Sequence, residues 1–173
     1  PHDEDAKRLQ QQTFLLSEFL ELMMDHYEPP KLKRKALVHG HCHQKAIMGM
    51  SHEQSLFSKL GLDFQILDSG CCGMAGSFGF EDGHYEVSKN VGELVLLPAV
   101  RRASKDTLII ADGFSCREQI HQETDREALH TAQVLKLALC QERTFQGYPE
   151  RVFTGPRDRE RAAPDAEDPF EAE

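Results

Sequence analysis

Three short apolar runs, Ala36-Leu37-Val38, Phe64-Gln65-Ile66-Leu67 and Thr107 to Ala111, each lead into a cysteine-bearing turn, and helical spacing follows each turn. Strand, turn and helix recurring in that order predict an α/β fold. Parallel strands need a crossover, and the crossovers cover the sheet, so the expectation is a small parallel sheet flanked by helices. In an open parallel sheet the carboxyl ends of the strands line up along one edge, where ligands bind. Cys42 follows the first run, Cys71 and Cys72 the second, and Cys116 the third. The pattern therefore predicts four thiols at one crevice, gathered from distant parts of the chain.

The remaining periodicity places the helices. Leu9, Thr13, Leu16, Leu20, Met23 and Met24 recur at threes and fours, predicting a helix over 5–27 that Pro29-Pro30 ends, its Met-rich stripe facing the core. Lys31 to Lys35 reads as a basic linker and Gln44 to Met50 as a helical turn. Ser51 and Gln54 form a candidate capping box for a helix through Leu60, with Gly61 as its stop. Val87, Val91, Leu94 and Val95 predict a long helix over 85–103, kinked or restarted at Pro98. A final helix is expected over 126–140, on the stripe Leu129, Ala132, Leu135 and Leu139, widened by Val134 and Leu137. Residues 154–173 hold Pro156, Pro164 and Pro169 among dense charge, so a domain over 1–153 with a disordered tail is expected.

At 173 residues the chain can bury a substantial core as one domain. Its net charge of -9 argues against nucleic acid or an anionic membrane surface as partner. No apolar run approaches the roughly 20 residues of a transmembrane helix, and no signal-peptide pattern is present. A cytoplasmic setting is expected, and Pro1 at the start suggests a cut from a longer polypeptide. The five cysteines are odd in number, which with the missing secretory signal argues for reduced thiols, some of them ligands, over a disulfide framework.

Chemistry concentrates at the adjacent pair Cys71-Cys72. Vicinal cysteines close a strained ring and rarely pair with each other, whereas a glycine-flanked bend can present both thiolates to one centre. Four thiolates suit a [4Fe–4S] cluster or a tetrahedral zinc ion; metal-free buried cysteines, or thiols handling a disulfide substrate, are the alternatives. His39, His41 and His43 alternate around Cys42. His41 and His43 are candidates to ligate, to accept a proton, or to hydrogen-bond the neighbouring turns. Gly73, Gly76 and Gly79 would let backbone N–H groups reach sulfur. Arg117, next to Cys116, would place a cation beside an anionic centre, or else start a helix in solvent. Asp112 and Glu118 read as caps or solvated groups before acid–base residues, Cys140 as core filler, and His121 and His130 as surface or packing residues.

Three blocks make the pattern recognisable: His39-Gly40-His41-Cys42-His43-Gln44, Gly70-Cys71-Cys72-Gly73-Met74-Ala75-Gly76-Ser77-Phe78-Gly79, and Asp112-Gly113-Phe114-Ser115-Cys116-Arg117. Together they resemble the cysteine-rich "CCG" domain of heterodisulfide reductase and of the iron–sulfur subunits of glycolate oxidase and anaerobic glycerol-3-phosphate dehydrogenase. They look most like the C-terminal part of fused FAD-linked oxidases that act on D-2-hydroxy acids. The resemblance covers roughly residues 10–142. It implies an iron–sulfur electron-transfer role with Cys42, Cys71, Cys72 and Cys116 as ligands, and Gly73, Gly76, Arg117, His41 and His43 around them. It also implies flavin and ferredoxin-like partner segments upstream, FAD only in the parent protein, and a location in the cytoplasm or on the inner membrane face through the parent complex. The fuller family pattern ends in C-x-x-C; here Gln119 stands in the last cysteine's place.

Overall fold

The computed structural model describes residues 3–23, 26–140 and 148–154. Its centre is a three-stranded parallel sheet of β1 (Lys35–Val38), β2 (Asp63–Ile66) and β3 (Leu108–Ile110), ordered β2-β1-β3. The register pairs Val38 with Ile66 on one side and with Ile110 on the other. All three expected strands are present and parallel, flanked by helices, as the recurring pattern predicts.

Alternation along the strands divides the core in two. Ala36, Val38, Leu108 and Ile110 face a cluster with Leu56, Phe57 and Leu60, contributed by α4 (Ser51–Leu60), and Val134 and Leu137, contributed by α8 (Thr131–Leu139). Leu37 and Ile109 face the opposite cluster. It holds Leu96 and Val100 of α6 (Leu96–Arg102), Cys116 and Ile120 of α7 (Phe114–Glu123), and Cys72 and Met74 of the double-cysteine loop. The chain leaving β1 passes through α3 (Cys42–Ile47) and α4 to the first face, whereas the chain leaving β3 enters α7 on the second. Neighbouring strands whose connections diverge in this way open a crevice between their carboxyl ends, here between β1 and β3.

Several elements depart from the periodicity. The expected helix over 5–27 is two helices, α1 (Glu4–Gln11) and α2 (Leu16–Leu22), and their apolar stripe is largely solvent-facing: Leu9 is 68% exposed, and Leu16 and Met23 are exposed too. Leu20 packs against the core. Met24 lies outside the described residues. The long helix over 85–103 divides into α5 (Tyr85–Glu93) and α6, with the break at Leu94-Val95 and not at Pro98. Pro98 falls in the first turn of α6, where its missing N–H has no carbonyl partner to lose. Ser51 does not cap α4: Met50 is the N-cap and no side chain bonds there, although Gly61 does end the helix in the left-handed conformation, φ 77°.

The final helix begins at Thr131, five residues later than the apolar stripe suggests. Residues before it run extended, and Leu129 bridges to Ile110 beside β3, so that stripe position belongs to the sheet edge. His130, read as surface or packing, caps α8 by accepting from the Ala132 N–H at 3.0 Å. Cys140 is exposed, not core filler. Thr154 closes α9 (Arg151–Thr154), and the rest of the expected tail, 155–173, lies outside the described residues. No helix among the described residues is long and apolar enough to cross a membrane.

Candidate functional site

The crevice between β1 and β3 brings the cysteine turns together. Cys42 opens α3 directly after β1, and Cys116 lies in the first turn of α7 directly after β3. His41 Nδ1 is 3.5 Å from Cys116 Sγ, so the two turns meet. Gly113 makes that approach possible. A Cβ there would lie 2.8 Å from His41 Nδ1 and 2.9 Å from Cys116 Sγ, closer than side chains tolerate. The Cys71-Cys72 loop reaches the same place from β2. The Cys71 thiol hydrogen-bonds with that of Cys42, and the Cys72 thiol with that of Cys116. Cys71 also hydrogen-bonds Cys72, and the charges of Cys42 and Cys71 act on Cys116, so all four thiols influence one another at the crevice.

The loop wraps the double cysteine in backbone N–H groups. Gly73 N–H points at Cys71 Sγ, 3.3 Å away, and the N–H groups of Met74 and Ala75 donate to Cys72. This coil depends on left-handed residues: Gly73 at φ 99°, Ala75 at φ 44° and Gly76 at φ 70°. Ala75 is the informative one, because a residue with a Cβ strains to hold that region and such strain collects at functional sites. Successive N–H groups converging in this way form a concavity that favours anions, thiolates included.

The electrostatics follow from those donors. The hydrogen bond from Cys116, aided by the Met74 and Ala75 amides, outweighs burial and holds the Cys72 thiol down to about 6. Cys116 is pushed up by the same bond, by burial and by the neighbouring sulfurs, so the shared proton rests on Cys116 and the charge on Cys72. Burial raises Cys71, with the Gly73 N–H acting against it. A thiolate is the form that ligates metals and attacks disulfides, and it is stabilised here by fixed dipoles.

As placed, no group of three or more His, Cys, Asp or Glu side chains among the described residues surrounds a position that could hold a metal ion. The donor chemistry still fits a soft, thiolate-ligated group, since four thiols, one of them held as thiolate, stand beside a cradle of amide donors.

The surrounding candidates sort differently. His41 reaches the sulfurs; His43 is exposed, its ring 6.5 Å from that of His41. Arg117 is directed to the backbone at the end of β3, donating to the carbonyls of Ala111 at 3.2 Å and Asp112 at 2.6 Å. Asp112 accepts from the Thr131 N–H and hydroxyl and so anchors the start of α8; Glu118 accepts from Gln122. Gln119 is buried, one turn beyond Cys116, and its amide meets Ser88 of α5 at 3.4 and 3.5 Å. Its position on the buried face of α7 is the place a cysteine would occupy in the fuller pattern, and here it braces α7 against α5.

Two residues to which the sequence assigns no specific role support the loop. His39, 2% exposed at the end of β1, bonds Ser69 Oγ through Nδ1 at 2.8 Å. Lys45 donates to the carbonyl of Ser69. Its signal in the sequence is the spacing of three from Cys42, which puts both on one side of a helix.

Burial, with smaller contributions from the charges of Lys45 and His41, lowers His39 from its ordinary 6.5 to about 4. The unfolded chain therefore binds a proton near pH 6.5 that the folded chain refuses until about pH 4. Stability contributed by the neutral ring is complete above 6.5 and is lost as pH falls through that window, by up to about 1.4 kcal/mol per pH unit. Urea midpoints measured from pH 7 to 4 should show this slope, and His39→Asn should flatten it. An identical slope in the variant would assign the effect to other groups.

Comparison with known proteins finds similarity to two dehydrogenases. The chain is 33% identical over 98 residues to D-2-hydroxyglutarate dehydrogenase of Pseudomonas putida, covering 56% of this chain and 9% of that protein. It is 31% identical over 98 residues to the Escherichia coli K12 enzyme of the same name, covering 56% of the chain and 10% of the relative. It is also 30% identical over 110 residues to a subunit of the anaerobic glycerol-3-phosphate dehydrogenase of Escherichia coli K12, covering 63% of the chain and 27% of that subunit. The chain thus spans about a tenth of the hydroxyglutarate dehydrogenases and about a quarter of the glycerol-3-phosphate dehydrogenase polypeptide. No protein-family model matches, and no solved structure matches significantly.

Proposed function

We propose that this chain is the electron-transfer portion of an FAD-linked oxidoreductase acting on 2-hydroxy acids, and that Cys42, Cys71, Cys72 and Cys116 hold an iron–sulfur cluster of the [4Fe–4S] type. The observation that carries the reading is the double cysteine, set in a coil of amide donors and hydrogen-bonded to the free thiols of Cys42 and Cys116 at the crevice. Similarity to dehydrogenases supports an oxidoreductase role. Such a cluster would accept and release single electrons. The chain's own residues would do the rest: thiolates ligate, Gly73, Met74 and Ala75 donate N–H groups to sulfur, and burial of Cys72 and Cys116 excludes water. Flavin and substrate would be held by other segments of the parent protein, and the partner that receives the electrons would dock at the cysteine edge.

The same donors suit tetrahedral zinc, which would make the chain a structural or docking module instead. Anaerobically prepared protein should show a broad visible absorption that bleaches when dithionite is added. Colourless protein carrying one zinc per chain would replace the redox reading with the structural one. Reactive thiols in metal-free protein, lost in Cys72→Ser without any change in metal content, would favour thiol chemistry.

A further inference from the structure

Lys45 places a charge beside the segment that leads into the double cysteine. It lies one turn beyond Cys42 on α3, yet its amine reaches across to the segment that carries the other cysteines. There it donates to the Ser69 carbonyl, and it approaches the Gly70 carbonyl at 3.5 Å, immediately before Cys71. The fold leaves space for this path at Gly40, where a Cβ would lie 2.9 Å from Lys45 Cγ and 3.0 Å from Cδ. The charge is felt locally, because it contributes to keeping His39 neutral. The cation that the sequence suggests for this task, Arg117, is engaged with the Ala111 and Asp112 carbonyls.

We infer that Lys45 is the charge-setting positioning residue of the thiol site, joining the Cys42 helix to the Cys71-Cys72 loop and favouring the more negative state of whatever the sulfurs hold. The inference rests on the proposed reading of those sulfurs as an electron-carrying centre. An electron supplied by dithionite adds one negative charge to the centre, and a fixed ammonium at the loop lowers the energy of that state. The Asp112 carboxylate is directed to Thr131 at the start of α8, and Asp68 is exposed to solvent, which screens its charge.

The test compares the reconstituted 173-residue chain with Lys45→Arg and Lys45→Met, matched for iron content and thermal midpoint. Lys45→Met should lower the reduced-to-oxidised ratio at a fixed potential about tenfold, or about 59 mV for a one-electron couple, while Lys45→Arg stays near the parent. Equal potentials in all three proteins would overturn the inference, as would equal shifts in both variants, which would mark a packing role of the stem. If the parent takes up no cluster, the proposed function fails by itself. Lys45 is then read by its joining role in the metal-free chain: amide hydrogen exchange at Gly70, Cys71 and Cys72 should quicken several-fold in Lys45→Met and stay near the parent in Lys45→Arg, and equal exchange in all three would overturn the assignment.

Discussion

Gly73→Ala should leave the chain largely unfolded, while Gly76→Ala, three residues away in the same loop, should be tolerated. Both glycines sit in the left-handed region, so each alanine incurs a backbone strain of about 1 kcal/mol. They differ in what a Cβ would meet. At Gly76 there is open space within 4 Å; at Gly73 the Cβ would lie 1.9 Å from the Ser88 carbonyl oxygen and 2.8 Å from its carbon. Those atoms belong to the backbone of α5 and cannot swing away as a side chain could. The loop must lift off the helix, which takes Met74 out of the core and the amide donors away from Cys71 and Cys72. The loss expected for Gly73→Ala is at least about 4 kcal/mol, against about 1 for Gly76→Ala. Urea denaturation of the two variants measures it, and similar midpoints would mean that contact with α5 is not what constrains the loop.

A second large effect is expected far from the cysteines, at the buried pair Arg126 and Glu150. Arg126 Nε donates to Glu150 Oε1 at 2.6 Å, and both side chains are almost wholly enclosed. The guanidinium also donates to the Thr107 carbonyl at 2.6 Å and the Ser104 carbonyl at 3.2 Å, and it lies over the ring of Tyr148 with 4.9 Å to the centroid. The pair therefore ties the segment around α9 to both ends of the turn that enters β3. Glu150→Ala should cost about 3–5 kcal/mol, because it leaves an uncompensated cation in the interior. The double variant Arg126→Met with Glu150→Leu should recover much of that loss, since replacing both charges removes the desolvation penalty along with the attraction. Strict additivity in the double-mutant cycle would show that the two side chains do not act as a pair.

How far the fold and the site are legible in the sequence depends on whether a feature is local. The three strands, their parallel direction and the cysteine turns are legible because short β-branched and apolar runs followed by glycine-bearing turns leave few options; the order β2-β1-β3 is not, because long-range pairing decides it. The stop at Gly61 is legible for the same kind of reason. Breaks that tertiary packing decides are not. The split at Leu94-Val95 and the extended run before Thr131 both interrupt helical periodicity that continues unbroken in the sequence. The stripe on α1 and α2 has helical spacing but faces outward in large part, and spacing alone cannot tell a face turned to the core from one left uncovered.

At the site, the cysteines are legible by their positions after the strands. That backbone N–H groups reach sulfur is legible from the loop glycines, and Gly73 N–H does so; that the Met74 and Ala75 amides join it, and that Ala75 takes the left-handed region, leaves no side-chain signature. Arg117 is a reasonable cation by adjacency, but a helix directs neighbouring residues to different sides. Lys45, three residues from Cys42, shares the cysteine's side and reaches the loop.

That the four thiols hold an iron–sulfur cluster is tested most directly by the iron, sulfide and zinc content of the chain purified without oxygen, compared with Cys71→Ser and Cys72→Ser. About four iron and four sulfide per chain are expected in the parent, with both falling sharply in each variant while the fold persists. One zinc per chain with no sulfide, or iron and sulfide that survive both substitutions, would contradict the cluster.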